Sequence, residues 1–261
     1  MIRLAHLSDI HFGGENVDAV EGAVQRLHEE ALDAVVVTGD LTQFGELPEF
    51  AAARAWLDRL PMPRLVTPGN HDSPYLAFGE RFFAPFERYA RAIGPVDHQT
   101  LVAEGLVLHG LNTARGVQPR ANWSKGQISN AQVETALEAF AAAPAGALRV
   151  VALHHPLTEM LGGPMTGRVW GGPKAAKRLA QGGVDLVLSG HIHAPFTWSY
   201  PDADGKTHAA GAGTLSVRER GVPAGFNLVE ADAQEIRIIA LAWTGRAFET
   251  SRTWAVTRRP H

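Results

Sequence analysis

The sequence predicts an α/β protein, a four-layer αββα sandwich of two mixed β-sheets flanked by helices. Three observations predict it. Apolar, β-branched runs such as "DAVVVTGD" read as fully buried strands, and they alternate with amphipathic stretches whose apolar residues recur at helical spacing. From about residue 195 onward the pattern turns to strands joined by turns. The chain has 261 residues, enough to bury a full core as one domain, and it contains no low-complexity linker, charge run or internal repeat. We therefore expect a single domain over residues 1–261, with sheets layered face to face and helices outside.

The elements follow in order. "IRLAHL" is a short strand. Val17, Val20, Val24 and Leu27 then mark one face of a helix. "DAVVVTGD" is the second strand. A second helix starts near Pro48 and carries Phe50, Ala53, Leu57 and Leu60 on one face. "RLVTPGNHD" is a strand ending in a Pro-Gly turn. Residues 73–100 are aromatic-rich and broken by prolines, which suggests an excursion, a flap or cap over a cleft. "LVLHGLN" is a strand. Ser129 and Gln132 match a capping box, and Val133, Leu137 and Phe140 form the stripe of the helix behind it. "LRVVALHHP" and "VDLVLSGHIH" are two more buried strands, separated by a Gly-rich loop and a short helix from Pro173 to Ala180. "FTWSY", "KTHAAGAGTLS", "GFNLVEA", "EIRIIALAWTG" and "FETSRTWAV" read as strands, with "PDADG" as a hairpin turn.

Composition narrows the chemistry. Net charge is −3 and the pI about 6.5, which gives no basic field for nucleic acid. There is no cysteine, so disulfides, thiolate zinc sites and cysteine nucleophiles are excluded, and any metal must take nitrogen and oxygen ligands. No apolar run reaches the ~18 residues of a membrane span. The opening "MIRLAHLSD" turns polar too early for a signal peptide, so the expected compartment is the cytoplasm.

What ends each buried strand is more telling. The strands close on Asp9-x-His11, Gly39-Asp40, Gly69-Asn70-His71-Asp72, His154-His155 and Gly190-His191-x-His193. In α/β sheets, ligands bind in the crevice beyond the carboxyl ends of the strands. Residues i and i+2 of an extended chain share a side, so Asp9 with His11, and His191 with His193, can each aim a pair of ligands into one space. Seven nitrogen and oxygen ligands are too many for one four-coordinate ion. They suit two ions joined by one shared carboxylate.

The order Asp-x-His, Gly-Asp, Gly-Asn-His-Asp, His, Gly-His-x-His, spanning residues 9 to 193, resembles the calcineurin-like metallophosphoesterase superfamily. The wording "AHLSDIHFG", "VVVTGDLT", "TPGNHD" and "LSGHIHAPF" is most similar to its class III cyclic nucleotide phosphodiesterase and glycerophosphodiesterase branch. The resemblance implies the metallophosphoesterase fold, with the C-terminal strands forming its second sheet. It implies that Asp9, His11 and His193 hold one ion, that Asn70, His154 and His191 hold another, and that Asp40 bridges them. Two such ions would sit ~3.5–4 Å apart, and a metal-bridging hydroxide would attack phosphorus. His71 would be a catalytic residue rather than a ligand, giving a proton to the leaving oxygen. Mn, Fe, Zn and Co all suit such ligands, so the cofactors expected are two divalent or trivalent ions of unspecified identity.

Other residues carry two readings. Asp72 either orients His71 from behind or caps the next turn. His155 is a substrate contact or an ordered turn residue. His6 faces away from Asp9 and reads as structural. His109 reads as a satisfied core histidine, and His28, His98, His208 and His261 as surface residues. Substrate walls should come from residues 73–100, 113–126 and 159–173, with Asn112, Arg115, Arg120, Lys125 and Arg168 as candidate contacts.

The leading expectation is a dinuclear phosphodiesterase of a small soluble phosphodiester, with 3′,5′-cyclic AMP to 5′-AMP as best guess. The alternative is a phosphohydrolase acting on a lipid or nucleotide-sugar diphosphate such as a lipid A precursor, which the apolar "YLAFGERFFAPF" favours. That reading allows peripheral lipid contact without a membrane span. A nuclease is disfavoured by the acidic balance, and a scaffold without catalysis by the complete ligand set. Relatives in the branch often form dimers, which makes a homodimer an expectation of the resemblance.

Overall fold

The computed structural model describes residues 1–159, 169–200 and 205–260. Two six-stranded sheets lie at its centre. The first contains β1 (Ile2–Leu7), β2 (Ala34–Thr38), β3 (Arg64–Thr67), β10 (Gly225–Ala231), β11 (Glu235–Trp243) and β12 (Phe248–Thr257), in the order β12-β11-β10-β1-β2-β3. The second contains β4 (Gln99–Ala103), β5 (Leu106–Leu111), β6 (Leu148–Leu153), β7 (Leu186–Ser189), β8 (Phe196–Ser199) and β9 (His208–Gly211), in the order β4-β5-β6-β7-β9-β8. β1, β2 and β3 run parallel, as do β5, β6, β7 and β9, while β10–β12, β4 and β8 add antiparallel edges.

Side-chain alternation explains the layers. Along β2, Val35 and Val37 pack with α1 (Val17–His28) and α2 (Leu47–Leu57), while Val36 joins the core between the sheets. The apolar part of that central layer joins Leu4, Val36 and Leu65 of the first sheet to Leu108, Val150 and Leu188 of the second. A third cluster packs β5–β7 against α5 (Asn130–Ala141) and α6 (Gly172–Gln181). Strands buried on both faces are apolar at nearly every position, as the run AVVVT is, and its one polar residue, Thr38, meets His6 through its hydroxyl.

Local signals place the helix starts. The Asn16 side chain accepts the Ala19 N–H at α1. At α5, Ser129 and Gln132 close the expected capping box. Pro48 sits in the first turn of α2.

One expectation needs correction. Of the C-terminal strands only β8 and β9 join the second sheet: β10 pairs antiparallel with β1, and β10–β12 complete the first sheet. Pairing between residues more than 200 positions apart leaves no local trace in the sequence. The segment 73–100 holds two short helices, α3 (Phe78–Phe83) and α4 (Glu87–Ala92), but its end is already the edge strand β4, turned onto β5 at Gly105. An edge strand buries too little to show a continuous apolar run. "PDADG" lies almost wholly outside the described residues, as does His261.

Leu108 is fully buried between the sheets. Leu108→Ala should cost about 2–5 kcal/mol, and Ser129→Ala about 0.5–2 kcal/mol through the lost cap. Urea unfolding followed by far-UV circular dichroism should rank them in that order.

Candidate metal centre

The parallel strands β1, β2, β3, β6 and β7 all run out toward one side, and each ends on polar residues that the sheets then bury. Asp9, His11 and His154 are fully buried, and Asp40, Asn70 and His193 are nearly so. The backbone there is unusual. Asp9, His11, Asp40, His191 and His193 have φ of 54°, 53°, 51°, 69° and 63°, and His98 is the one other non-glycine residue in this region among the described residues. Each such conformation costs roughly 1–3 kcal/mol, and such residues cluster where function requires them. This corrects the expected geometry. The i, i+2 pairs converge through left-handed turns, not through the alternation of an extended strand.

Two glycines make room. A Cβ at Gly69 would collide with Asp40 Oδ1, and one at Gly190 with Ser8 Oγ and Asp9 Oδ2. Neither has a positive φ. Both are required by close approach rather than by conformation.

The side chains meet as follows. Asp9 Oδ1 lies 3.1 Å from His193 Nε2 and 3.8 Å from His11 Nε2. Asp40 Oδ2 lies 3.3 Å from His154 Nε2 and 3.7 Å from His11 Nε2. His191 Nδ1 and His154 Nε2 are 3.3 Å apart. Four overlapping trios have ligand atoms within 4.8 Å of one another: Asp9, His11, His193; Asp9, Asp40, His154; His11, Asp40, His71; and His154, His155, His191. Asp9 and Asp40 each belong to two of them. The buried Asp9 Oδ1 and Asn70 Oδ1 have no hydrogen-bond partner. Buried oxygens of that kind are costly unless something cationic completes them. The nitrogen and oxygen donors present fit a divalent or trivalent cation.

Carbonyl groups aim the imidazoles. His154 Nδ1–H donates to Thr38 O at 2.7 Å, His193 Nδ1–H to Arg218 O at 3.0 Å and His71 Nδ1–H to Gln43 O at 2.7 Å. Each thereby turns Nε2 toward the cluster. The Thr214 hydroxyl donates to Asp9 O at 2.6 Å and helps fix the left-handed turn. Sequence reading missed Thr38, Gln43, Thr214 and Arg218, since three of them act through main-chain oxygens that any residue supplies.

Electrostatics divide the histidines: His11 and His191 are lowered, while the carboxylates beside them raise His154 and His193 against burial. Burial disfavours charge on Asp9, but His193 beside it holds its carboxyl well below the usual range. Asp40 is likewise held low against burial, by His154 and His71. Burial lowers His11 to about 4, and burial with His154 lowers His191 to about 3, so both are neutral donors at pH 7. His154 runs the other way: burial opposes it, but the charge of Asp40 raises it to about 9. In the absence of a cation, the proton on His154 offsets Asp40.

Other expected residues lie around this cluster. Asp72 accepts from Gly69 N at 2.8 Å, Thr42 N at 2.9 Å and Thr42 Oγ1 at 3.0 Å. It fastens the turn that presents Asn70 and His71 through Gly69 and Thr42, both earlier in the chain, and Gln43 O takes the bond from His71 Nδ1–H. Burial and Asp40 raise Asp72 to about 6. His155 packs on the rings of His154 and His191 at 4.7 and 4.6 Å, with both nitrogens engaged, Nδ1 by Thr113 Oγ1 and Nε2 by Ser124 O. Asn112 closes its own loop on Ala114 N, and Arg115 is tied to Asn112 O, Ala114 O and Gln132. Arg120 grips the Lys125 and Gly126 carbonyls and lies 4.4 Å over Trp170. Arg168 lies outside the described residues.

Among the remaining histidines, His6 is buried, bonded to Thr38 Oγ1 and Asn227, and lowered by burial to about 3. His109 is buried with Nδ1 on Thr100 Oγ1. His28 and His98 are exposed. His208 is not: it is buried at the start of β9, between Ser199 Oγ of the adjacent strand β8 and Thr257 O of β12, which comes from far along the chain.

Asp40→Asn should bind about one tenth or less of the metal of the parent, because a neutral amide at the shared position removes the charge that trios on both sides use. Elemental analysis of both proteins after equal Mn loading measures it. Full metal content in the variant would remove Asp40 from the centre.

Comparison with known proteins adds the family. The sequence model described as Calcineurin-like phosphoesterase matches residues 2–195. The chain is 41% identical over 80 residues to the glycerophosphodiester phosphodiesterase of Enterobacter lignolyticus (strain SCF1), covering 26% of this chain and 29% of that protein. It is 28% identical over 160 residues to a Rhodopseudomonas palustris protein whose description reads "Probable cyclic nucleotide phosphodiesterase", covering 58% of this chain and 56% of that one. The matches thus span between about a third and about half the length of these curated relatives. Among solved structures, a purple acid phosphatase from yellow lupin (Lupinus luteus) seeds superposes with a TM-score of 0.70 at 12% identity, over 98% of this chain and 54% of that one, a likeness of fold.

Proposed function

The chain belongs to the calcineurin-like phosphoesterase family, and we propose that it is a dinuclear metal-dependent phosphodiesterase of small phosphodiesters, with 3′,5′-cyclic AMP the first substrate to test. One observation carries the reading. Asp9, His11, Asp40, His154, His191 and His193 come together in overlapping trios of possible ligands at the ends of four strands, and the buried Asp9 Oδ1 and Asn70 Oδ1 have no hydrogen-bond partner. Two ions held by Asp9, His11 and His193 on one side and Asn70, His154 and His191 on the other, sharing Asp40, would supply Lewis acidity and an activated water.

The protein's own groups do the rest. His71 N–H donates to Asp40 Oδ1 at 2.8 Å, which locks the bridging carboxylate and the following histidine together. The His71 ring is held edge-on to His11, 4.7 Å between centroids, with Nδ1 spent on Gln43 O. Nε2 therefore faces the reacting side, and when the ring is an imidazolium its Nε2–H is the proton given to the leaving oxygen as the P–O bond breaks, leaving the neutral ring with Nδ1–H on Gln43 O. Asn70 is a neutral ligand and adds no negative charge beside an anionic substrate. The relatives described as glycerophosphodiester and cyclic nucleotide phosphodiesterases support a diester over a monoester substrate.

A second reading has its own observation. Leu76, Phe78, Phe82 and Phe83 are exposed by 78%, 64%, 59% and 89% on and beside α3, near the same site. An apolar surface of this kind favours a lipid-linked phosphoester. Activity that rises several-fold with detergent-dispersed lipid substrate would support it.

Mn-loaded protein should convert cyclic AMP to 5′-AMP, read by chromatography of the products. Clear turnover of bis(p-nitrophenyl) phosphate with none of cyclic AMP would keep the chemistry and discard the nucleotide. His71→Ala should retain its metal and lose roughly 10²–10⁴ in kcat, the span of a general acid. A fall in metal content instead would make His71 a ligand.

A further inference from the structure

A cavity of about 520 Å³ opens beside the metal centre, with Asn70 in its wall. Tyr75, Phe78, Arg81, Trp123 and Ser124 line the rest. Its walls are tied to the catalytic residues. The Tyr75 ring stacks on His71, 5.5 Å between centroids at an interplanar angle of 20°. Ser124 accepts the Nε2–H of His155 through its carbonyl. The cavity thus begins where His71 would meet the leaving oxygen and runs away along an aromatic face.

Arg81 fixes that face. It is buried to all but 6% of its surface, and among the described residues it has no carboxylate partner. Its Nε donates to Gly116 O at 2.8 Å and its Nη1 to Pro74 O at 3.2 Å. The guanidinium lies 5.1 Å from the Tyr75 ring centre and 5.8 Å from that of Trp123. One immobilised cation therefore holds two aromatic rings from separate segments, 73–100 and 113–126, in a set relation. Both rings remain partly exposed to the cavity. Tyr75 carries His71 stacked on it and Phe44 edge-on and is still 40% exposed, so a flat π-system would meet its open part together with the half-buried Trp123 ring.

We infer that this cavity is a subsite for a planar aromatic group of the substrate, a nucleobase or an aryl ring, stacked on Tyr75 and Trp123, with Arg81 as the positioning residue. The inference rests on the phosphodiesterase reading for its orientation, phosphorus at the metals and ring in the cavity. Phe78 of α3 lines the cavity and is itself 64% exposed.

The test is binding rather than turnover. Mn-loaded protein is titrated calorimetrically with 5′-AMP and with ribose 5-phosphate, which carries the same sugar and phosphate without the base. AMP should bind roughly 5- to 100-fold tighter, the span of one base–aromatic stack. Trp123→Ala should bring the ratio close to one by weakening AMP alone, and Trp123→Phe should restore most of it, which separates stacking from a general loss of structure. Equal affinities in the parent, or an unchanged ratio in Trp123→Ala, would overturn the subsite, as would failure of both ligands to bind. Hydrolysis of bis(p-nitrophenyl) phosphate, assayed on the same preparation, separates the two ideas. A binding preference without hydrolysis keeps the subsite and rejects the phosphodiesterase, while hydrolysis without a preference does the reverse.

Discussion

The structure turns on two carboxylates, Asp9 and Asp40, taken out of water at the facing ends of two sheets. Neither exposes more than 1% of its surface. A buried charge is tolerated only when it is paired, and two of the same sign raise the cost. Around them the fold assembles imidazoles, main-chain N–H groups and empty oxygen valences. Asp9 Oδ2 accepts from His191 N and Asp40 Oδ1 from His71 N. What remains unpaired, Asp9 Oδ1 above all, faces the same small volume. Stability and chemistry therefore press on the same atoms: the arrangement is strained without positive charge and complete with it.

The central apolar layer makes this arrangement possible. Because the two sheets meet through side chains such as Leu4, Val36, Leu108 and Val150, the ends of β2 and β6 lie side by side. The bond from His154 Nδ1–H to Thr38 O then crosses from one sheet to the other. Thr38 serves both layers, since its hydroxyl also meets His6 and its carbonyl the Ser8 hydroxyl. A shift in the packing of the sheets would move His154 away from Asp40. Core packing far from the centre is thus part of what sets ligand geometry.

Beyond the first ring of donors, the loops are tied down by cations that do not reach the metal centre. Arg115, Arg120 and Arg81 spend their N–H groups largely on carbonyls of residues 74 and 112–126. Positive residues in a loop next to an anionic substrate invite the reading of phosphate contacts. Here their bonds describe struts. His155 is similar: it touches two expected ligands, yet both ring nitrogens are taken by Thr113 and Ser124. These side chains hold the rim in a fixed shape and leave the aromatic rings as the surface that a ligand would meet.

The sequence by itself determined the layer class, the helix starts marked by Pro48 and by the Ser129 capping box, and the residues that gather at the strand ends. Those are set by short-range chemistry: caps, apolar runs and glycines before Asp, Asn and His. Only the tertiary structure decided that β10–β12 joined the first sheet and that His208 was buried against β12, because both depend on partners far along the chain. It also decided how the ligand pairs converge. Asp-x-His written on a strand suggests alternation, whereas the folded backbone turns left-handed at both residues, held there by Thr214 and Leu215 acting on Asp9 O. That conformation is unfavourable in isolation, so no local preference could announce it, and only long-range contacts keep it.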